Sequence, residues 1–228
     1  MSLQDTTSRI RTTYFRRMAL IDRHGRSLTT GGSKMKKGSM ALAMAAAVFG
    51  ACGCSAEEAD TVKAEAEPGK ILVAYYSYSG NTRFAAEQIQ KATGGTLFEI
   101  KPVKPYPADY NACVDQAKSE IRAGVKPELA EKVREFDKYD VIFVGTPNWW
   151  STMAPPVLTF LSSCDFSGKT VIPFVTHGGG GMARCESDMR KACPAAAFGR
   201  GGAFSGGSIR NSAEALAKWA GEVVTVRK

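Results

Sequence analysis

The sequence lacks the residue patterns of a metal site. Its six cysteines include no Cys-x-x-Cys pair, and its two histidines, His24 and His177, lie far apart. Structural zinc sites need closely spaced cysteine and histidine ligands. We therefore expect no metal centre. We also expect Cys113, Cys164 and the pair at 185 and 193 to be small buried hydrophobic residues rather than disulfides.

The sequence also lacks the patterns expected of a nucleic-acid-binding surface and of a membrane-spanning helix. No cluster of Lys and Arg is interleaved with aromatic residues, which is the pattern of a nucleic-acid surface, so we expect no nucleic-acid partner. The longest apolar run, at residues 40–49, is too short to span a bilayer as a helix.

That apolar run instead has the surroundings of an export signal. Met35-Lys36-Lys37 precedes it, and small residues follow it and lead into Cys52 and Cys54. A basic segment, a short apolar run and small residues before a cysteine are typical of a secretory signal and resemble a bacterial lipoprotein cleavage site. We expect residues 1–51 to be an N-terminal extension plus signal peptide, and Cys52, or else Cys54, to be lipidated.

On this interpretation the protein is exported and anchored to the bacterial membrane by lipid, with its folded part outside the cytoplasm. A plain signal peptide cut at Ala51 or Ala56 is the alternative. Translation starting at Met35 rather than Met1 explains why the preceding residues do not fit a signal. An export signal built on Arg16-Arg17 is disfavoured, because the apolar run begins more than twenty residues later.

Charge divides the chain into three segments. Residues 1–51 hold nine Lys/Arg and two Asp/Glu, residues 52–69 hold one and five, and residues 70–228 hold twenty and fifteen. The middle segment carries the lipidation site and has no apolar periodicity to bury, so we expect a flexible, solvated linker. Residues 70–228 form the predicted folded domain, which is mildly basic.

Apolar strand patterns alternate with amphipathic helix patterns through that domain. The predicted strands lie near residues 70–76, 96–100, 140–145, 170–175 and 196–199. The predicted helices lie near residues 81–93, 109–122, 154–163, 182–192 and 212–224, with a short extra helix near 128–136. This alternation predicts an α/β fold, a doubly wound parallel five-stranded sheet with helices on both faces.

A hydroxyl-rich loop joins the first predicted strand to the first helix. Loop 1 reads Ser77-Tyr78-Ser79-Gly80-Asn81-Thr82. Backbone N–H groups and hydroxyls at a helix N-terminus bind phosphate, and the helix dipole favours the negative charge. The residue patterns of triphosphate and dinucleotide loops are absent. An ordinary turn whose Ser, Asn or Thr caps the helix is the alternative.

Two more loops follow the third and fourth predicted strands. Loop 2, residues 145–150, reads Gly-Thr-Pro-Asn-Trp-Trp, and loop 3, residues 176–181, reads Thr-His-Gly-Gly-Gly-Gly. Open α/β sheets bind ligands at the carboxyl ends of their strands. From about Lys70 to the C-terminus, this ordered set of loops resembles the flavodoxin family, and more narrowly a bacterial flavodoxin-like lipoprotein group.

The resemblance implies the strand order 2-1-3-4-5 and an FMN cofactor. Loop 1 would hold the FMN phosphate, and Trp149 or Trp150 would stack on the isoalloxazine ring. The structural alternative buries both tryptophans under the turn at residues 153–156. The residues expected to bind FMN are Ser77, Tyr78, Ser79, Gly80, Asn81, Thr82, Pro147, Asn148, Trp149, Trp150, Thr176, His177, Gly178 and Gly179.

Loop 3 departs from the shuttle flavodoxins, which usually carry an aromatic residue there. Glycines let the backbone approach a ligand closely but cannot cover a ring, so we expect one open flavin face. His177 is the candidate catalytic residue, as a proton donor to a reduced acceptor. A structural role, in which His177 bonds the loop backbone, is the alternative.

The expected function is FMN-dependent oxidoreduction with a small, quinone-like electron acceptor at the cell envelope and an unknown electron donor. A protein-to-protein electron carrier is the alternative, and a non-catalytic binding module is the third reading. The open face and the basic charge favour the first, because shuttle flavodoxins are typically strongly acidic. The sequence leaves open whether the protein is an enzyme.

Overall fold

A computed structural model describes residues 63–227 as strands and helices in alternation. The strands are β1 Ala64–Ala66, β2 Ile71–Tyr75, β3 Thr96–Glu99, β4 Val141–Trp149, β5 Thr152–Met153, β6 Thr170–His177, β7 Ala197–Phe198, β8 Gly202–Ser205 and β9 Val224–Val226. The helices are α1 Asn81–Thr93, α2 Tyr110–Ala123, α3 Pro155–Ser163, α4 Cys185–Ala192 and α5 Ala213–Val223, with 3₁₀ turns at Phe136–Lys138 and Ile209–Asn211. The predicted signal peptide and both candidate lipidation cysteines lie outside the described residues.

The main sheet has the predicted topology. Its strands run in the order β3-β2-β4-β6-β7, and every neighbouring pair is parallel. β7 and β8 both pair with β6, so they form one edge strand interrupted at residues 199–201. Counted along the chain, this is the order 2-1-3-4-5. The α/β class and the doubly wound order are therefore confirmed.

The sheet has seven strands rather than the five predicted. The edge strand is split in two, and β4 turns back into the short antiparallel strand β5. The prediction ended β4 at residue 145, but the strand continues to Trp149. The last residues of β4 pair with β5, and this hairpin contains the end of loop 2.

The two faces of the sheet bury two separate cores, because side chains of a strand alternate between faces. Along β2, Leu72 and Ala74 pack with residues of α2, α3 and α4. Ile71 and Val73 point to the opposite face and pack with residues of α1 and α5. The helices thus cover both faces, as expected, and every residue of β2 is buried.

The folded part begins earlier than the sequence analysis predicted. Ala64–Ala66, placed in the flexible linker, forms β1 and pairs in parallel with β9 as a separate two-stranded sheet. Ala64 and Ala66 are buried, whereas Glu65 faces outward and pairs with Arg227. The linker prediction is therefore wrong for these residues. Their partner strand, β9, lies at the other end of the domain, so the local sequence pattern does not indicate this pairing.

The predicted short helix near residues 128–136 is absent from the described structure. That segment is tied instead to residues 101–103: Val103 N–H donates to Glu128 O, and Ala130 N–H donates to Lys101 O, both at 2.8 Å. These long-range hydrogen bonds hold the backbone extended, and only the 3₁₀ turn Phe136–Lys138 follows.

The four cysteines within the described residues are free. Cys113, Cys185 and Cys193 are buried, and Cys164 is half-buried. Between residues 63 and 227, no helix is both long and apolar enough to span a membrane, and no cluster of three or more potential metal ligands is present.

Candidate cofactor site

Loop 1 ends on a helix start that lacks a side-chain cap. Gly80 is the N-cap residue of α1, with a left-handed φ of 85°, and no side chain accepts a hydrogen bond from the first turn. The first N–H groups of a helix have no partner within the helix. The same turn has no acidic residue. This helix end is consequently a set of free donors with a positive dipole end.

The following helix shows what an ordinary capped turn looks like in this chain. At the start of α2, the carboxylate of Asp109 accepts a hydrogen bond from Ala112 N–H at 2.9 Å. Loop 1 contains Ser, Asn and Thr, yet none of them occupies the N-cap position. The capped-turn alternative for loop 1 is therefore wrong.

Within loop 1 the side chains differ in what they can offer a ligand. Ser77 Oγ accepts a hydrogen bond from Gly80 N–H at 3.1 Å, which closes the loop and leaves the Ser77 hydroxyl hydrogen free to donate. Among the described residues, the side chains of Ser79 and Asn81 have no hydrogen-bond partner. Tyr78 is half-buried, and its hydroxyl donates to Pro107 O at 2.8 Å. Partial burial raises the pKa of Tyr78 to about 12, so the hydroxyl stays protonated.

Thr82 and Thr176 link loop 1 to loop 3. Their hydroxyl oxygens lie 2.8 Å apart, and both side chains are buried. The two residues were predicted as separate FMN contacts, and the structure brings them together. One hydroxyl of the pair donates to the other, which leaves a single hydrogen for a further acceptor.

Two arginines lie near loop 1 and have different environments. Arg83, in the first turn of α1, forms an ion pair with Glu99, which also contacts Lys101 at 3.3 Å. Arg210 comes from the 3₁₀ turn after β8, and its Nη2 lies 3.5 Å from Gly80 O. The sequence analysis did not identify Arg210. Because the last strand was predicted to end at residue 199, residue 210 was not placed at this edge of the sheet.

Loop 2 is the tip of the β4–β5 hairpin. Asn148 pairs with Met153 and Trp149 with Thr152, so Trp150 and Ser151 form a two-residue turn. Both have positive φ, 52° and 66°, a conformation that non-glycine residues seldom adopt and that is unusual for a bulky side chain. Such strain is found where surrounding contacts hold a functional loop in place.

Trp149 is the centre of an aromatic cluster. Its ring meets the rings of Tyr76, Tyr78 and Tyr106 edge to face, with centroids 5.5, 5.9 and 5.0 Å away. Tyr78 belongs to loop 1, so this cluster joins loops 1 and 2. The side chain of Trp149 is only half-buried, which keeps part of it available to a ligand.

Trp150 lies in a different environment. The residue is 40% exposed, its Nε1–H donates to Val114 O of α2 at 3.2 Å, and the Lys118 ammonium lies 4.6 Å from the ring centroid. The two tryptophans thus point to different surroundings, as expected for consecutive residues, and the alternative in which both are buried is wrong. Trp149 is the better placed of the two to face a cofactor between loops 1 and 3.

Loop 3 is held against loop 2 by polar contacts. Asn148 Nδ2 donates to Gly181 O at 2.9 Å, and Arg184 N–H donates to Ser151 O at 2.9 Å. A Cβ on Gly180 would come within 3.1 Å of Asn148 Nδ2. The predicted ligand residue Asn148 therefore also positions the glycine loop, and Pro147 lies beside Thr176 in the β4–β6 ladder.

His177 ends β6 and contacts the glycine loop through its ring. Nδ1 accepts a hydrogen bond from Gly179 N–H at 3.0 Å, so a neutral imidazole carries its proton on Nε2. Burial lowers the pKa of His177 below its usual range, because a buried imidazolium loses its hydration. Both roles considered for His177 are compatible with this arrangement: Nδ1 stabilises the loop, and Nε2–H remains able to donate.

Comparison with known proteins gives the family. The family model described as Flavodoxin matches residues 70–223. The chain belongs to the flavodoxin family. β1 and β9, which form the separate two-stranded sheet, lie outside the matched residues. None of the curated proteins compared with the chain is significantly similar to it.

Solved structures similar to this flavodoxin-family chain span its folded part. A candidate flavoprotein from Bacteroides uniformis is 35% identical, with 66% of this chain and 97% of that one covered and a TM-score of 0.60. A second, from Bacteroides eggerthii, is 32% identical, with 65% and 98% covered and a TM-score of 0.56. A flavoprotein in complex with FMN from Lactobacillus acidophilus is 23% identical, with 65% and 99% covered and a TM-score of 0.54, which supports the fold.

The pKa of His177 gives a direct test of the loop 3 geometry. We expect the ring to titrate below about 6.5, the value of an unperturbed histidine. His177 in the folded chain then binds a proton at lower pH than His177 in the unfolded chain. The neutral ring therefore contributes fully to the free energy of unfolding above about pH 6.5. This contribution is lost as the pH falls through the lowered folded value. Imidazole NMR resonances followed over pH measure the midpoint, with His177→Gln to assign the signal; a midpoint at or above 6.5 contradicts the expectation.

Proposed function

We propose that this flavodoxin-family chain binds FMN and passes electrons from it to a small, quinone-like acceptor at the cell envelope. The observation that carries the proposal is the uncapped start of α1 beneath loop 1. It offers unpaired N–H donors and free serine hydroxyls at the edge of the sheet where loops 2 and 3 also meet.

The residues present fit FMN. A phosphate group needs several convergent donors, and the backbone of residues 81–83 with the Ser77 and Ser79 hydroxyls supplies them. A planar ring needs an aromatic wall, and Trp149 is held for that role by three tyrosines. One of the structurally similar proteins is solved in complex with FMN, which supports the same cofactor here.

When bound, FMN supplies reversible one- or two-electron transfer, and the protein supplies binding, orientation and proton positioning. Loop 1 would hold the phosphate, and Trp149 would orient the ring. Asn148 and Thr176 hold loop 3 in register with the other two loops. His177 keeps a proton on Nε2, from which it can be donated to an acceptor that has gained electrons.

A small acceptor is favoured over a protein partner by the composition of loop 3. Residues 178–181 are all glycine, so no side chain there can cover the second face of a bound ring. A separate pocket of about 810 Å³ lies between loop 1 and residues 99–110, and Tyr76, Tyr78 and Tyr106 are among its lining residues. Its aromatic wall suits a planar molecule. The net charge of residues 70–228, +5, does not favour the acidic docking surface of a carrier.

The phosphate role of loop 1 is testable by removing its free hydroxyls. We expect the Ser77→Ala, Ser79→Ala double variant to bind FMN at least about tenfold more weakly, because each hydrogen bond to a charged group contributes about 1.5–3 kcal/mol. Quenching of flavin fluorescence measures the dissociation constant. Ser163→Ala, far from the loop and bonded to Phe160 O, is the control. An unchanged dissociation constant in the double variant rules out this assignment.

The open ring face is testable by closing it. Gly178 does not have the left-handed φ of Gly179 and Gly181, so its backbone conformation does not require glycine. We expect Gly178→Tyr to slow oxidation of the reduced, FMN-loaded protein by benzoquinone at least about fivefold, with FMN retained, since an aromatic side chain blocks access. Gly178→Ser is the control. Anaerobic stopped-flow absorbance gives the rates.

Either of two results in that experiment favours the electron-carrier alternative. One is a slow reaction of the unaltered protein with benzoquinone. The other is reduction of its flavin in two well-separated one-electron steps.

Location at the membrane is part of the same proposal, and the sequence of residues 35–54 supports it. The basic Met35-Lys36-Lys37, the apolar run 40–49 and the cysteines that follow have the order of a lipoprotein signal. In a bacterial host, we expect the chain to incorporate labelled fatty acid and to fractionate with membranes. Cys52→Ser, Cys54→Ser should do neither, and the single variants identify the modified residue. Continued labelling of the double variant would refute the anchor.

A further inference from the structure

We propose that Arg210 is a specificity residue that makes the cofactor site select a phosphorylated flavin. The inference rests on the proposed FMN site and adds to it a positive charge that loop 1 itself lacks. The occupant it favours is a flavin bearing a phosphate monoester, in preference to the same ring system without phosphate.

The backbone around Arg210 is fixed by packing. The residue lies in the 3₁₀ turn Ile209–Asn211, which packs against α1. Ile209 is 1% exposed and belongs to the core between the sheet and helices α1 and α5. Hydrogen bonds from Asn211 N–H to Ser208 O and from Ser212 N–H to Ile209 O close the turn. Arg210 is thus presented from a rigid base.

The guanidinium lies against the start of α1. Its Nη2 is 3.5 Å from Gly80 O, and its central carbon is 4.7 Å from the centroid of the Phe84 ring. Gly80 ends loop 1, and Phe84 lies in the first turn of the helix. A guanidinium has five N–H donors in a planar fork, and the contact with Gly80 uses one of them at long range. The remaining donors are available beside loop 1.

No carboxylate within residues 63–227 forms an ion pair with Arg210, and the first turn of α1 has no acidic residue. Arg83 is closer along the chain, but its charge is compensated by Glu99. Arg210 is therefore the cation near loop 1 whose charge is uncompensated. An exposed, unpaired arginine held in place by an aromatic ring is suited to recognising a phosphate dianion, which accepts charge-assisted hydrogen bonds.

This placement predicts a dependence on the phosphate and on salt. Replacing Arg210 should weaken the binding of FMN but leave that of riboflavin, which has the same ring and no phosphate, nearly unchanged. The effect of Arg210 should also decrease as salt rises, because ions screen an exposed charge pair. An arginine with only a structural role would change the binding of both flavins alike.

The experiment compares four full-length proteins: the unaltered chain, Arg210→Gln, Arg210→Lys and Arg200→Gln. The last removes the same charge from an exposed arginine that pairs with Glu222, so it controls for net charge. Flavin fluorescence quenching gives dissociation constants for FMN and riboflavin at about 50 mM and about 300 mM salt, a range over which screening increases markedly. Thermal unfolding checks that every variant is folded.

We expect Arg210→Gln to weaken FMN binding about tenfold at low salt and less at high salt, which corresponds to about 1.4 kcal/mol at low salt. Arg210→Lys should retain most of the affinity, and Arg200→Gln all of it. Equal FMN affinity of the unaltered chain and Arg210→Gln overturns the inference alone, as does equal weakening for both flavins. Failure of the unaltered chain to bind FMN overturns the proposed function together with this inference.

Discussion

Parallel pairing of β2, β4 and β6 is the constraint on which the site depends. Parallel strands end at the same edge of a sheet, and the register Tyr75–Gly145–Phe174 places the last residue of β2 beside β4 and β6, which continue beyond it toward loops 2 and 3. Gly145 is part of that register, since a Cβ there would overlap the Phe174 ring. Three loops separated by many residues in the chain are consequently brought together above one buried sheet, where the fold leaves a crevice for a ligand.

The loops do not rely on the sheet alone, because each is joined to another by specific contacts. The Thr82–Thr176 hydroxyl pair joins loops 1 and 3, the amide of Asn148 joins loops 2 and 3, and the Trp149 cluster joins loops 1 and 2. Buried polar contacts are costly to leave unmade, so they favour one arrangement of the loops. A site built in this way holds its donors in place before a ligand arrives, which lowers the entropy cost of binding.

Charge within the site is distributed rather than concentrated. The start of α1 contributes a dipole, Arg210 contributes a full positive charge from a different element, and burial lowers the pKa of His177. Arg83, the arginine nearest to loop 1 in the sequence, has its charge compensated by Glu99. Proximity along the chain is therefore a poor guide to which charge acts at this site.

The sequence by itself determined the alternation of strands and helices and the order of the three loops along the chain. These properties are local: apolar periodicity defines each element, and Gly and hydroxyl residues define each turn. Tertiary structure alone decided the Thr82–Thr176 pair, whose members are 94 residues apart, and the Arg210–Gly80 contact across 130 residues. It also decided that Ala64–Ala66 pairs with the last strand, that residues 128–130 bond to residues 101–103 instead of starting a helix, and that Trp150 contacts α2. In each case the deciding partner is distant in the chain, and its contribution to the free energy exists only once the sheet has formed.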